Sequence, residues 1–248
     1  MVNLRIVLSR FPKPRTNWNQ PIPVPLFNKE SKLKIKFICA RCGTLPPNGF
    51  AIKKRRFMRH GKTQMNLDSI CIGSIDEPLC ELGIKQAQEA ADKFSLSDEK
   101  IDKIISSPLI RAWKTAEIFA AKLKVPLILS SYLRERNVGD IQGKPETPEG
   151  CSPLLLKYEY LPAGATPLAE FEKETASKLL NSLGEIRFGN DALLVTHSFR
   201  MRIIVKLIKG WNVEQITQYT APANCQIITF GFGGPCPNCG SNFYEPQE

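Results

Sequence analysis

The chain reads as an α/β protein built on a largely parallel sheet with helices on both faces. Three observations predict this. Apolar runs of strand length alternate with segments of helical period from residue 50 onward. Ser107-Pro108 and Thr166-Pro167 each place a capping hydroxyl before a proline, a helix-start signal. Ala192–Thr196 is a short, wholly apolar run ending in threonine, as expected of a strand buried on both faces.

The elements follow in order. Ala51–Arg59 is expected to be a strand despite its basic residues. Glu81–Phe94 carries Leu82, Ile84, Ala87, Ala90, Ala91 and Phe94 near helical spacing and predicts a helix. Ile101–Ser106 predicts a strand, and Ser107-Pro108 opens a helix to about Leu123. Pro126–Leu133 is a further strand. Residues 134–165 hold four glycines and four prolines and predict loops over the site. Thr166-Pro167 opens a helix to about Ile186. Strand Ala192–Thr196, helix Phe199–Lys209 and strand Cys225–Phe232 complete the pattern.

Charge divides the chain unevenly. Residues 1–58 carry 13 Lys/Arg against Glu30, a net +12, whereas residues 59–248 carry 21 Lys/Arg against 23 Asp/Glu, a net −2. The basic arm, residues 1–38, holds five prolines and predicts extended, irregular backbone. It reads as a solvated leader, or as a contact for nucleic acid or another polyanion. It shows neither a secretory h-region nor a good amphipathic helix for a transit peptide. No apolar run reaches the roughly 18 residues that span a membrane, so no membrane contact is expected.

Of eight cysteines, Cys71, Cys80, Cys151 and Cys225 stand singly and read as small buried residues. Cys39 and Cys42 form one Cys-x-x-Cys-Gly knuckle, and Cys236 and Cys239 form a second. Together they suggest one structural zinc with four thiolates, hence a reducing compartment, the cytoplasm. The 193 residues between the pairs exceed ordinary ribbon spacing, so the main domain would be inserted into a small zinc-ribbon-like element made by the two chain ends. An iron site, two disulfides, or half-sites joined across a dimer stay open. The domain reading is therefore residues 1–38 arm, 39–50 first knuckle, 51–233 catalytic domain, and 234–248 second knuckle and tail.

Only two histidines occur, His60 and His197, each after a predicted strand. Open α/β sheets bind ligands at such strand ends. Arg59 and Arg111 suit bidentate phosphate contacts. His197, if protonated, adds a third positive group. Asn66 can donate an amide hydrogen to a phosphoryl group, Thr63 can order its loop, and Gly61 permits close backbone approach.

Five ordered stretches carry a family resemblance. They are Arg59-His60-Gly61-x-Thr63-x-x-Asn66; Asp76-Glu77-Pro78-Leu79-Cys80 with Gly83, Gln86 and Ala87; Ser106-Ser107-Pro108-Leu109-Ile110-Arg111-Ala112 with Thr115 and Ala116; Leu133-Arg134-Glu135 with Gly139 and Gly143; and Val195-Thr196-His197. Over about residues 52–232 the chain resembles the histidine phosphatase superfamily, the phosphoglycerate mutase-like clan. Cys80 stands where threonine is usual, and Ser198 where glycine is usual. The resemblance implies a three-layer phosphoglycerate mutase-like sandwich. It also implies His60 as nucleophile and transient phosphohistidine, Glu135 as general acid and then base, and Arg59, Arg111 and His197 around the phosphoryl group. Thr63, Asn66 and Ser198 would line the substrate site, and catalysis would need no metal. Arg202 matches a recurring arginine after the second histidine, with a helix-surface role equally open.

The expected activity is hydrolysis of a small phosphorylated metabolite. Mutases resemble this layout with a longer insertion around the substrate, and the compact 134–165 segment favours hydrolysis. Phosphoglycerate mutase-type transfer is the alternative. From another class, a zinc-ribbon binding module using the phosphatase fold as scaffold is a further alternative. Substrate identity and oligomeric state are not legible in the sequence.

Overall fold

A computed structural model describes residues 38–39, 53–146, 155–185, 191–235 and 242–244. The strands are β1 (Ile38–Cys39), β2 (Lys53–Arg59), β3 (Lys103–Ser106), β4 (Leu127–Leu129), β5 (Ala192–Thr196), β6 (Ile227–Pro235) and β7 (Asn242–Tyr244). The helices are α1 (Gln64–Leu67), α2 (Glu81–Ser95), α3 (Ile110–Leu123), α4 (Leu168–Glu185), α5 (Ser198–Lys209) and α6 (Val213–Gln218). Short 3₁₀ turns lie at Ser131–Leu133 and Gly139–Ile141.

The strands form one sheet in the order β1-β7-β6-β2-β5-β3-β4. Strands β2, β5, β3 and β4 run parallel, whereas β6, β7 and β1 extend the sheet in antiparallel fashion from β2. The sheet is therefore mixed rather than mostly parallel. Strand β6 follows β5 through two helices yet runs antiparallel to β2, and β7 returns from β6 after a short connection; the alternation of strands and helices encodes neither direction.

Period-two alternation builds the three layers. Phe57 and Leu194 face a core made with Met201, Ile204 and Val205 of α5 and with Phe230 of β6. Their neighbours Met58, Leu193 and Val195 face the other side, against Ala91 and Phe94 of α2 and Ala112, Ala116 and Phe119 of α3. All five residues of β5 are buried, as a central strand requires. Each fully buried large side chain contributes about 1.5–3 kcal/mol. α4 and α6 add a satellite core around Phe171, Phe199, Ile203 and Ile216.

Several boundaries differ from expectation. Helix α3 starts at Ile110, with Leu109 at the N-cap and no side-chain cap from its own segment. Ser107 Oγ instead accepts from Leu109 N at 3.2 Å, closing a turn one step early, and Asp76 Oδ1 accepts from Ile110 N at 2.7 Å. A carboxylate from a distant loop thus satisfies the helix end. The fourth strand stops at Leu129 because Ser130 leads into a 3₁₀ turn. Strand β6 runs on to Pro235. Helix α6 was not expected, though Asn212 and Gln215 form a capping box that starts it. Cys71 and Cys225 are buried, while Cys80 is only half-buried.

Cys39 closes β1. The rest of the basic arm (residues 1–37), Cys42, Cys151, Cys236 and Cys239 lie outside the described residues. Among the described residues no helix is long and apolar enough to cross a membrane.

Candidate active site

The site lies at the carboxyl ends of three neighbouring parallel strands. Arg59 of β2 pairs in register with Thr196 of β5, so the next residues, His60 and His197, emerge side by side. His60 N donates to Thr196 O at 3.0 Å, and Ser107 N, just after β3, donates to Val195 O at 3.0 Å. The two imidazole centroids are 5.1 Å apart.

Both histidines are fully enclosed, 3% and 1% exposed. His60 Nδ1 lies 2.7 Å from Gly61 O, and Arg111 Nε donates to His60 Nε2 at 3.2 Å. A carbonyl can only accept and a guanidinium can only donate. The proton therefore sits on Nδ1, and Nε2 carries the lone pair. Burial, then Arg111 and Arg59, holds His60 well below the ordinary imidazole range, so the ring is neutral at physiological pH. That is the tautomer and charge state of a nitrogen nucleophile.

His197 Nε2 lies 2.8 Å from Ser107 Oγ, and its Nδ1 is buried without a hydrogen-bond partner among the described residues. Burial first, then Arg111, His60, Arg200 and Arg59, holds it well below its usual value as well. The resting ring is thus neutral, not the standing cation that a protonated His197 would be. An arriving dianion is what can draw a proton onto it.

Backbone packing fixes the nucleophile loop. Gly61 N donates to Thr115 Oγ1 at 3.0 Å, Lys62 N to Gln86 Oε1 at 3.1 Å, and Asn224 Nδ2 to His60 O at 2.8 Å. A Cβ on Gly83 would stand 1.9 Å from Lys62 O, and one on Gly61 would stand 2.5 Å from Gly83 O. Two glycines are needed here because α2 and the loop touch through their backbones. Thr63 and Asn66 form a reciprocal capping box that starts α1. Thr63 is fully buried with its hydroxyl on Asn66 N, and it orders the loop.

Arg111, 1% exposed, is tied by Nη1 to Ile75 O at 2.5 Å and by Nη2 to Gly73 O at 2.8 Å. Desolvation pushes it down to about 10 against the pull of Glu135, Glu77 and Asp76, so it remains charged. Arg59 donates through Nη1 to Pro222 O at 3.3 Å, and its Nε is buried with no hydrogen-bond partner among the described residues. Burial lowers it too, opposed by Glu135 and Glu146.

Glu135 makes the contacts of a helix cap. Its Oε1 accepts from Arg136 N at 3.0 Å and Arg200 N at 3.1 Å, and its Oε2 accepts from Phe199 N at 3.0 Å. His197, the N-cap residue of α5, offers no side-chain cap, and Glu135 serves instead. The same carboxylate lies in the field of Arg59 and Arg111. Ser198 opens α5 and is half-buried beside His197.

His60, His197, Arg59, Arg111 and Glu135 thus gather at the carboxyl ends of the central strands, with Thr63 and Asn66 at the start of α1 and Ser198 at the start of α5. Sequence reasoning missed Ser107 and Thr115 as supports for the histidine pair, although both lie in a quoted motif. It also missed Asn224, which carries no local signal. Arg202 is half-buried: its Nε is buried and its Nη1 donates to Tyr219 O at 2.6 Å. The cysteines Cys42, Cys236 and Cys239 lie outside the described residues, and among those described no cluster able to hold a metal occurs.

Residues 56–240 match the histidine phosphatase superfamily (branch 1). The chain belongs to that superfamily. This histidine phosphatase is 30% identical over 160 residues to a Bacillus subtilis protein named uncharacterized phosphatase PhoE, covering 63% of the chain and 78% of the relative. It is 32% identical over 161 residues to a probable phosphoglycerate mutase, GpmB, of Cronobacter sakazakii, covering 62% of the chain and 73% of the relative. Its fold is similar to that of a mycobacterial glucosyl-3-phosphoglycerate phosphatase, with TM-score 0.66 at 20% identity, covering 79% of this chain and 98% of that one. A phosphoserine phosphatase from Entamoeba histolytica gives TM-score 0.61 at 22% identity, covering 79% and 98%.

Proposed function

We propose that the chain is a phosphomonoester hydrolase that works through a phosphohistidine on His60 and acts on a small phosphorylated metabolite. The observation that carries this is the buried, neutral His60 with its proton on Nδ1 and its Nε2 lone pair facing Arg111. Nε2 attacks phosphorus, a P–N bond forms, and the ester P–O bond breaks. Glu135 gives the proton that the leaving oxygen needs. It then takes one from a water that attacks the phosphohistidine, returning His60 and releasing inorganic phosphate. Arg59, Arg111 and a protonated His197 hold the equatorial oxygens, where charge accumulates. Asn66 and Ser198 border the bound group. Every step so drawn runs on side chains alone.

Phosphate release from a panel of phosphomonoesters, without added divalent metal, tests the reading. Turnover by the wild type that disappears in His60→Ala is expected. A folded wild type that releases no phosphate from any of them overturns it. The mutase alternative, favoured by the GpmB relatives, shares the phosphoenzyme but hands the group to a sugar-acid hydroxyl. It predicts isomerised phosphoglycerate in place of free phosphate.

A structural zinc held by Cys39, Cys42, Cys236 and Cys239 is part of the proposal. Strand pairing supports it. Cys39 of β1 sits opposite Phe243, and Pro235, the residue before Cys236, sits opposite Asn242. Strands β1 and β6 thus leave the sheet at the same end, two strand spacings or about 10 Å apart. One zinc per chain by elemental analysis, lost in a Cys39→Ser, Cys236→Ser double variant, is the expected result. Thiolate ligands also suit the reducing cytoplasm proposed as the compartment. Contact of the basic arm with a polyanion is a separate proposal. Salt-sensitive nucleic-acid binding that vanishes when residues 1–38 are removed is its signature.

A further inference from the structure

Gln142 takes no part in the proposed chemistry, yet its side chain joins two loops that carry it. Three donors converge on its amide oxygen. Ser74 N donates to Oε1 at 2.8 Å, Ser74 Oγ at 2.9 Å and Val138 N at 3.3 Å. Backbone N–H groups can only donate, so the atom they share is the oxygen. The packing is close: a Cβ on Gly73 would stand 2.4 Å from that oxygen and 2.7 Å from Val138 Cγ2. Val138 belongs to the segment that carries Glu135, three residues earlier.

Ser74 sits between the two carbonyls that hold Arg111. Arg111 Nη2 donates to Gly73 O at 2.8 Å and Nη1 to Ile75 O at 2.5 Å, while Nε donates to His60 Nε2 at 3.2 Å. A guanidinium is planar and rigid, so fixing both Nη atoms fixes the direction of Nε. The position of residues 73–75 therefore decides where that N–H points. Ile75 N bonds within the turn, to Ile72 O at 3.2 Å, and Ser74 N is spent on Gln142. Asp76 pins the far end of the turn to the start of α3 through Ile110 N at 2.7 Å, which leaves Gln142 to set the near end.

We infer that Gln142 is a positioning residue: its amide oxygen holds the 73–75 turn so that Arg111 meets the nucleophilic nitrogen of His60. Its part in catalysis rests on the phosphatase reading above, whereas its hold on Arg111 does not, and the experiment keeps the two separable.

The chain has two histidines, so isotope-labelled ring nitrogens read by NMR give one set of signals per ring, assigned with His197→Asn. In the wild type, His60 Nε2 should show the signal of an acceptor nitrogen. Gln142→Met keeps the length of the side chain but not the acceptor. It should move that signal toward a free nitrogen and raise the pH at which the ring titrates, because Arg111 is the nearby charge that most disfavours its protonation. Gln142→Glu keeps the acceptor and should keep the wild-type signal. In turnover of a phosphomonoester, Gln142→Met should cost about 10- to 100-fold in kcat/KM. In an Arg111→Lys chain it should cost less than about twofold more, since its effect runs through Arg111. Ser74→Ala removes one of the three bonds and should move the ring signal part of the way; it carries the test if Gln142→Met does not fold. An unmoved His60 signal in a folded Gln142→Met chain, or failing that in Ser74→Ala, overturns the inference. So does a Gln142→Glu chain that behaves like Gln142→Met, or a loss of rate that adds in full to that of Arg111→Lys. If the signals move as expected but the wild type releases no phosphate, Gln142 positions Arg111 and the phosphatase reading fails.

Discussion

Replacing Glu135 by glutamine separates its capping of α5, which the structure shows, from the acid–base role proposed for it. The carboxylate accepts three backbone amides, two on Oε1 and one on Oε2. An amide has one acceptor oxygen and turns its NH₂ toward the remaining N–H, so at least one charge-assisted bond becomes a donor facing a donor. Such a bond is worth about 1.5–3 kcal/mol, and the lost charge at the α5 N-terminus adds about 0.3–1 kcal/mol. We expect a loss of about 2–3 kcal/mol, seen as a fall in Tm of about 5–10 °C for a domain of this size. The chemical effect is distinct. An alkyl phosphate should lose about 10²- to 10⁴-fold in kcat, because its leaving oxygen needs a proton. An aryl phosphate with a good leaving group should still phosphorylate His60, but hydrolysis now lacks its base. Rapid mixing should show a burst of phenol equal to the enzyme present, with labelled phosphate retained on the protein. A normal Tm would refute the capping geometry. A lowered Tm with wild-type rates on both esters would leave Glu135 a cap and nothing more.

Three further outcomes follow from the same geometry. Both histidines are buried with pKa values held well below the ordinary 6.5. Below about pH 6.5 the unfolded chain therefore binds protons that the native chain refuses. Their stabilisation is complete above that pH and is lost as pH falls toward the native values, by about 1.4 kcal/mol per unit per histidine. Urea unfolding between about pH 7 and about pH 5.5 should show this slope, reduced by one proton in His197→Asn; a flat profile would mean the native rings are charged. Gly83→Ala puts a methyl 1.9 Å from Lys62 O. It should cost about 1–3 kcal/mol and lower kcat/KM together with Tm, and a wild-type melt would disprove the backbone contact. Arg111→Lys keeps a charge but cannot span His60 Nε2, Ile75 O and Gly73 O at once. We expect kcat/KM to fall about 100-fold or more with the fold intact, and retention of full activity would argue that charge alone suffices.

Local chemistry was legible in the sequence, and partnerships across the fold were not. Ala192–Thr196 is a strand to the residue because an apolar run of that length has little other use in a sheet core. The Thr63–Asn66 and Asn212–Gln215 boxes are local signals too, and neither was read as a helix start. By contrast, Asp76 capping α3, Glu135 capping α5 and Asn224 holding His60 O join residues 34, 64 or 65, and 164 positions apart. No periodicity encodes such pairs. The antiparallel half of the sheet escaped for the same reason: β6 pairs with β2, which precedes it by most of the chain. The candidate site was read as a set of residues. What the structure adds is the tautomer of His60, the neutral resting state of His197 and the capping role of Glu135.

The late arrival of β6 has a consequence for the newborn chain. Arg59 and His60 emerge from the ribosome more than 160 residues before Pro222 and Asn224, which clasp them. At about 5–20 residues per second, that interval is on the order of ten seconds or more. Throughout it, one flank of β2 is an open edge, a template on which the same strand of a neighbouring nascent chain can dock. Arg55 and Arg56 lie on that edge, and like charges set opposite their own copies repel. The basic run that made β2 an unlikely-looking strand thus shields it until its own partner is synthesised.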